Sequence, residues 1–200
     1  MGVFYMSNPY NITQESFLQA LANTAALAKN TPWTYGDSQS LPPCADGKIS
    51  CDRLVSRSLW DLGVTDQPRG GWISAQMPQA LPSIGFTMTI NRDEIIPGTV
   101  VIVGKMVNGV PDNTYHTFAV TAYDPATGLC DKYDMGSDIR IQQPQPFRNV
   151  PLVEWSDRWF SYAFLPPDAG GGGGGNKKAW LYFKHYGWRQ QNECACFLSR

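Results

Sequence analysis

Hydrophobic positions repeat with helical spacing between residues 51 and 62. Small or apolar side chains lie three and four residues apart, at Cys51, Leu54, Val55, Ser58, Leu59 and Leu62. This spacing is typical of one buried helix face, and Gly63 is a natural place for such a helix to end. The pattern therefore predicts a buried helix that begins at Cys51.

Further elements flank this helix. An upstream helix is predicted from a cap at Asn11 or Thr13 to about Lys29, with Leu18, Leu21, Ala22, Ala25 and Ala28 on its apolar face. A short helix over residues 73–80 would be stopped by Pro82. Strands are predicted over residues 99–103, 117–123 and 129–133, with edge strands over residues 138–141 and 161–165. Together these elements predict an α+β domain with N-terminal helices packed on an antiparallel sheet.

Cys51 is the first candidate for chemistry. In the first turn of a helix, free backbone N–H groups and the helix dipole favour negative charge, so the position favours a thiolate. A small core residue at the start of a helix would give the same pattern, because free cysteine is often buried. Partners elsewhere in the chain decide between these interpretations.

His116 and Asp134 are the predicted partners. Residues 124–128 form a turn signal between two strand patterns, so a hairpin folded there would bring Asp134 near His116. Asp131 is the competing carboxylate, and strand alternation sets it on the opposite face from Asp134. A cysteine, a histidine and a residue that orients the histidine form the arrangement of nucleophile, base and orienter. We therefore expect Cys51, His116 and Asp134 to be catalytic.

The order of these residues resembles that of the NlpC-type cell-wall cysteine peptidases, a branch of the papain-like superfamily. The resemblance covers roughly residues 30–138, and its motifs lie at residues 32–37, 50–55, 96–102, 116–120 and 133–137. It implies a papain-like fold with the nucleophile Cys51 at a helix N-terminus. It also implies that Trp33, Tyr35 and Asp52 line the substrate site.

The function implied by the resemblance is hydrolysis of amide bonds in peptidoglycan stem peptides or cross-links, by an endopeptidase or amidase such as a phage lysin. No metal or cofactor is expected. Two alternatives stay open. A transglutaminase-like acyltransferase uses Cys, His and Asp in the same order, and a non-catalytic virion or cell-wall-binding module could keep the fold without activity.

The composition of the chain limits the classes of binding partner. The net charge is −1 and charged residues make up 16% of the chain, so no basic stripe is present for nucleic acid. No apolar run approaches the length of a membrane span, and no signal peptide is recognisable. We therefore expect cytoplasmic synthesis with phage-type release or virion association. The sequence leaves the oligomeric state undetermined.

The C-terminal part differs in composition from the rest. Residues 170–175 are six consecutive glycines, which predicts a flexible loop between a catalytic domain at residues 1–169 and a strand-like extension at residues 176–200. Five cysteines, an odd number, argue against a disulfide framework. Cys194 and Cys196, near His185, are too closely spaced for a typical zinc site, so no metal is expected there.

Overall fold

The computed structural model describes residues 8–31, 33–108, 110–136, 143–154 and 158–167. Several predicted features lie outside the described residues: the edge strand at residues 138–141, the glycine run at 170–175 and the extension at 176–200 with His185, Cys194 and Cys196. Residues 1–7 lie outside them as well.

Three α-helices occur in the described part of the chain. They are α1 (Gln14–Asn30), α2 (Cys51–Asp61) and α3 (Met77–Ser83), and a short 3-10 helix follows at Arg92–Glu94. Thr13 caps α1: its hydroxyl accepts from the Ser16 N–H at 3.1 Å, and the Ser16 hydroxyl accepts from the Thr13 N–H at 2.9 Å. None of these described helices is long and apolar enough to cross a membrane.

Eight strands form two sheets in the described residues. A small parallel pair joins β1 (Thr34–Tyr35) to β2 (Lys48–Ile49). The main sheet is antiparallel, and its strands are β3 (Thr87–Thr89), β4 (Val100–Val107), β5 (Val110–Asp124), β6 (Leu129–Asp134), β7 (Gln145–Pro151) and β8 (Arg158–Leu165). Their order across the sheet is β3-β8-β4-β5-β6-β7. The predicted α+β class is thus confirmed.

Both faces of the main sheet are covered with buried apolar side chains. Along β4, Val100 and Ile102 belong to a cluster that includes residues of α1, α2 and α3, whereas Val101 and Val103 belong to a second cluster. This alternation follows from the pleat, which sends successive side chains to opposite faces. The second cluster contains mainly residues of β4, β5, β6 and β8.

Helix α1 is rotated slightly from its predicted orientation. Leu21, Ala25 and Ala28 are buried as expected, but Leu18 and Ala22 are only partly buried. The buried face is completed instead by Phe17, Ala20 and Thr24. The reason is packing, because Phe17 meets the ring of Phe86 edge to face at 5.2 Å between centroids.

Two other predictions need correction. The short helix begins at Met77 rather than residue 73, with Pro78 in its first turn, where the missing N–H costs nothing, and Pro82 lies within the last turn. Residues 161–165 do not form an edge strand. They belong to β8, which lies between β3 and β4 inside the sheet, and its buried Ala163 and Phe164 match that position.

Phe17 should contribute strongly to stability. Phe17→Ala removes a fully buried ring and is expected to lower the free energy of unfolding by about 3–5 kcal/mol. Leu27→Ala, at an exposed position of the same helix, should change it by no more than about 0.5 kcal/mol. Urea unfolding followed by circular dichroism measures both, and equal losses would contradict the packing described.

Candidate functional site

Cys51 is the first residue of α2. The chain reaches it from β2, and Ser50 precedes the helix in an extended conformation. The side chain is a free thiol and the residue is 7% exposed. Backbone N–H groups in the first turn of a helix have no partner within the helix. The thiol therefore lies beside donors that favour an anion.

His116 and Asp134 meet inside the protein. His116 Nε2 lies 2.6 Å from Asp134 Oδ1, and the two side chains are 9% and 2% exposed. The same carboxylate oxygen accepts a hydrogen bond from the Met135 N–H at 2.7 Å. Because Nε2 is used by Asp134, Nδ1 is the ring nitrogen that is left for another partner. The Cys51 side chain interacts with the His116 ring and contributes to its raised pKa, so the three predicted residues lie in one site.

A β-bulge sets which face Asp134 occupies. Near the turn, Ala122 pairs with Asp131, but past the bulge Val120 pairs with Lys132 and Ala119 with Tyr133. This shift by one residue sets Asp134 across from Phe118, on the same face as His116. A regular hairpin would have paired Asp134 with Ala119 and turned it to the opposite face.

The charge of His116 is stabilised from two sides. Burial, the largest effect, lowers the pKa of His116, but the nearby Cys51 and Asp134 side chains outweigh it and raise the pKa from 6.5 to about 10. The imidazole is thus held as imidazolium between two acidic groups. These interactions stabilise the fold below pH 6.5, and their contribution is lost as the pH rises from 6.5 to about 10.

Asp134 also has a second cationic partner. Lys132 Nζ lies 3.0 Å from Asp134 Oδ2 and 2.9 Å from Glu154 Oε2. Burial raises the pKa of Asp134, but His116 and Lys132 more than compensate and hold it below its usual value. Asp134 therefore stays ionised.

The Asp52 carboxylate is hydrogen-bonded to other groups of the protein. Its carboxylate accepts from the Ser50 hydroxyl at 2.5 Å and from the Ser74 N–H at 2.9 Å. The Ser74 hydroxyl in turn accepts from the Thr117 hydroxyl at 2.7 Å. Through these bonds Asp52 fixes the start of α2 against the residue that follows His116. Its predicted contact with substrate stays a prediction, and the hydrogen bonds give it a structural role.

Trp33 and Tyr35 differ in accessibility. Trp33 is 7% exposed and belongs to the core cluster under α2, so its ring serves mainly in packing. Tyr35 is partly buried, and β1 pairs it with Ile49, two residues before Cys51. Burial and the acidic side chains of Cys51, Asp52 and Asp37 raise the pKa of Tyr35 to about 12. Its hydroxyl is therefore a neutral donor beside the thiol.

Lys132 and Glu154 belong to the site but were not predicted from the sequence. The signal for Lys132 was present, because Cys130, Lys132 and Asp134 alternate along one strand and all three are buried. A lysine at such a position needs acidic partners. No signal pointed to Glu154, which lies beyond β7. Among the described residues there is no cluster of three or more metal-ligating side chains.

Comparison with protein-family models, curated proteins and solved structures gave no match. The interpretation of this site therefore depends on its own geometry and chemistry.

The charge state of His116 can be measured. In the wild-type protein, the His116 ring, assigned by comparison with His116→Gln, should titrate near pH 10 in NMR spectra. Cys51→Ala should lower this midpoint, because it removes an acidic neighbour while burial remains. Cys44→Ala should leave the midpoint unchanged, because the buried Cys44 thiol contacts the Arg53 carbonyl instead of His116. An unaltered midpoint in Cys51→Ala would show that the thiol and the ring do not interact.

Proposed function

We propose that this protein is a cysteine hydrolase of papain-like, NlpC-type organisation that cleaves amide bonds in peptidoglycan stem peptides or cross-links. The observation that carries the proposal is the position of His116, whose ring lies 2.6 Å from the Asp134 carboxylate and interacts with the Cys51 side chain. A buried imidazolium between a thiol and a carboxylate is the arrangement that nucleophilic acyl transfer needs.

The residues support a two-step reaction. The Cys51 thiolate attacks the carbonyl carbon of the amide, and the His116 imidazolium gives its proton to the leaving amine. Water, deprotonated by His116, then hydrolyses the thioester and restores the thiol. Asp134 keeps the Nε2 proton of His116 directed toward itself and stabilises the charged ring. The Cys51 N–H, in the first turn of α2, is a suitable donor to the oxyanion.

The substrate class follows from the motif resemblance, with some support from the site. Tyr35 offers a neutral hydroxyl beside Cys51, which suits hydrogen bonding to a peptide.

A transglutaminase-like acyltransferase is the second candidate. The observation that favours it is the identity of the third residue, a carboxylate rather than a neutral side chain. Such an enzyme would pass the acyl group from Cys51 to an amine instead of water. The two reactions share every step up to the thioester and differ only in the acceptor.

Loss of the nucleophile should abolish turnover. Cys51→Ser is expected to lower the rate of muropeptide cleavage by several orders of magnitude while leaving the circular dichroism spectrum unchanged. Cys44→Ser and Cys130→Ser are the matched controls, because both are free buried cysteines outside the predicted catalytic set and should keep activity. Mass spectrometry of the products, with and without an added primary amine, distinguishes hydrolysis from acyl transfer.

Full turnover in Cys51→Ser would overturn the proposal. Lack of turnover in the wild type, together with slow alkylation of Cys51 by iodoacetamide at neutral pH, would indicate the non-catalytic module instead.

Asp134 and Asp131 provide a paired test on one strand. Asp134→Ala should reduce the rate strongly, and Asp134→Asn less so, because an amide oxygen still accepts from the imidazole N–H. Asp131→Ala should have a mild effect, since Asp131 pairs with Arg148 at 2.9 Å and accepts from the Asn149 N–H at 2.8 Å. Steady-state kinetics on muropeptides measures all three, and the reverse order of the two alanine variants would refute the role given to Asp134.

A further inference from the structure

Lys132 is fully buried on β6, two residues before Asp134. Its residue exposure is 1%, and its ammonium lies 4.2 Å from the centre of the Phe118 ring. A lysine in such surroundings loses its hydration and remains charged only with close acidic partners. Asp134 and Glu154 are those partners, at 3.0 and 2.9 Å.

The charged groups form a line of alternating sign. From the helix outward it begins beside the Cys51 side chain and runs through the His116 imidazolium, the Asp134 carboxylate, the Lys132 ammonium and the Glu154 carboxylate. Only the last has substantial contact with solvent, with a side chain that is 25% exposed. Each ion is thus stabilised by its neighbours of opposite charge. Removing a charge at one end of the line therefore alters the electrostatic stabilisation of the groups at the other end.

We propose that Lys132 is a positioning residue that acts on the Cys51–His116 pair through Asp134. Lys132 holds Oδ2 of the carboxylate while Oδ1 accepts from His116, so it fixes the plane of Asp134 and keeps it ionised. Its positive charge also favours the thiolate at the far end of the line. The inference rests on the proposed function, because it concerns the same three side chains.

Other titratable side chains lie close to this line. Cys130 lies on the same strand, and burial raises its pKa to about 11, so it stays a neutral thiol. Asp52 and Tyr35 are further titratable neighbours of Cys51. The Asp52 carboxylate accepts from the Ser50 hydroxyl and the Ser74 N–H, and burial, the largest effect, raises the pKa of Tyr35 to about 12. Neither Cys130 nor Tyr35 changes its charge between pH 4 and 9.

The experiment follows iodoacetamide alkylation of Cys51 from pH 4 to 9 in the full chain, with the modified peptide quantified by mass spectrometry. The acid limb of this profile is its low-pH side, where the alkylation rate falls. Lys132→Met removes the cation at similar volume and should move the acid limb to higher pH, by about half a pH unit or more. Glu154→Gln removes a negative charge from the outer end and should move the limb downward. Arg148→Met breaks the ion pair with Asp131 on the same hairpin and should leave the limb in place.

The proposal would be overturned if the acid limb of the alkylation profile were unchanged in Lys132→Met. It would also be overturned if Lys132→Met and Glu154→Gln shifted the limb in the same direction. If Lys132→Met does not fold, Glu154→Gln is the deciding variant, because the partly exposed Glu154 tolerates replacement. An unchanged acid limb in Glu154→Gln would then refute the inference. Alkylation needs no substrate. A shifted limb without muropeptide cleavage would therefore refute the proposed function alone, and cleavage with an unshifted limb would refute the role of Lys132 alone.

Discussion

An imidazole and a carboxylate that meet at 2.6 Å inside a protein remain charged only if each has further partners. This requirement explains much of what surrounds His116 and Asp134. The imidazolium has the Cys51 side chain on its other side, and the carboxylate has Lys132 and the Met135 N–H. Removing any of these partners would leave an uncompensated charge in a region from which water is largely excluded.

The antiparallel sheet supplies these partners through ordinary strand geometry. Alternation along β6 sends Lys132 and Asp134 to one face, and the pairing with β5 sets Phe118 beneath the lysine. The bulge between Val120 and Ala122 then brings His116 to that same face. A sheet with regular pairing would have separated the carboxylate from the imidazole, so the irregularity is what makes the contact possible.

The predicted nucleophile, Cys51, is positioned by helix α2 rather than by the sheet. Helix α2 is buried almost all round, including the polar residues Asp52, Arg53 and Ser56. Asp52 ties the first turn to Ser74 and, through it, to Thr117 beside His116. Arg53 donates to the Gly71 carbonyl at 2.5 Å, which ties the same turn to the loop after the helix. The first turn of α2 thus has little freedom relative to β5.

Much of the local structure was encoded in patterns that the chain carries by itself. Helical spacing gave α1 and α2, and alternation with a turn signal gave the β5–β6 hairpin, because burial of one face acts on neighbouring residues. His116 is one of only two histidines in the chain, so few residues could serve as the base. Tertiary structure alone decided the rotation of α1 around Phe17, the place of β8 inside the sheet, and the one-residue bulge that turns Asp134 toward His116. It also brought Glu154 to Lys132, since contacts between distant segments depend on packing and register, which no local pattern records.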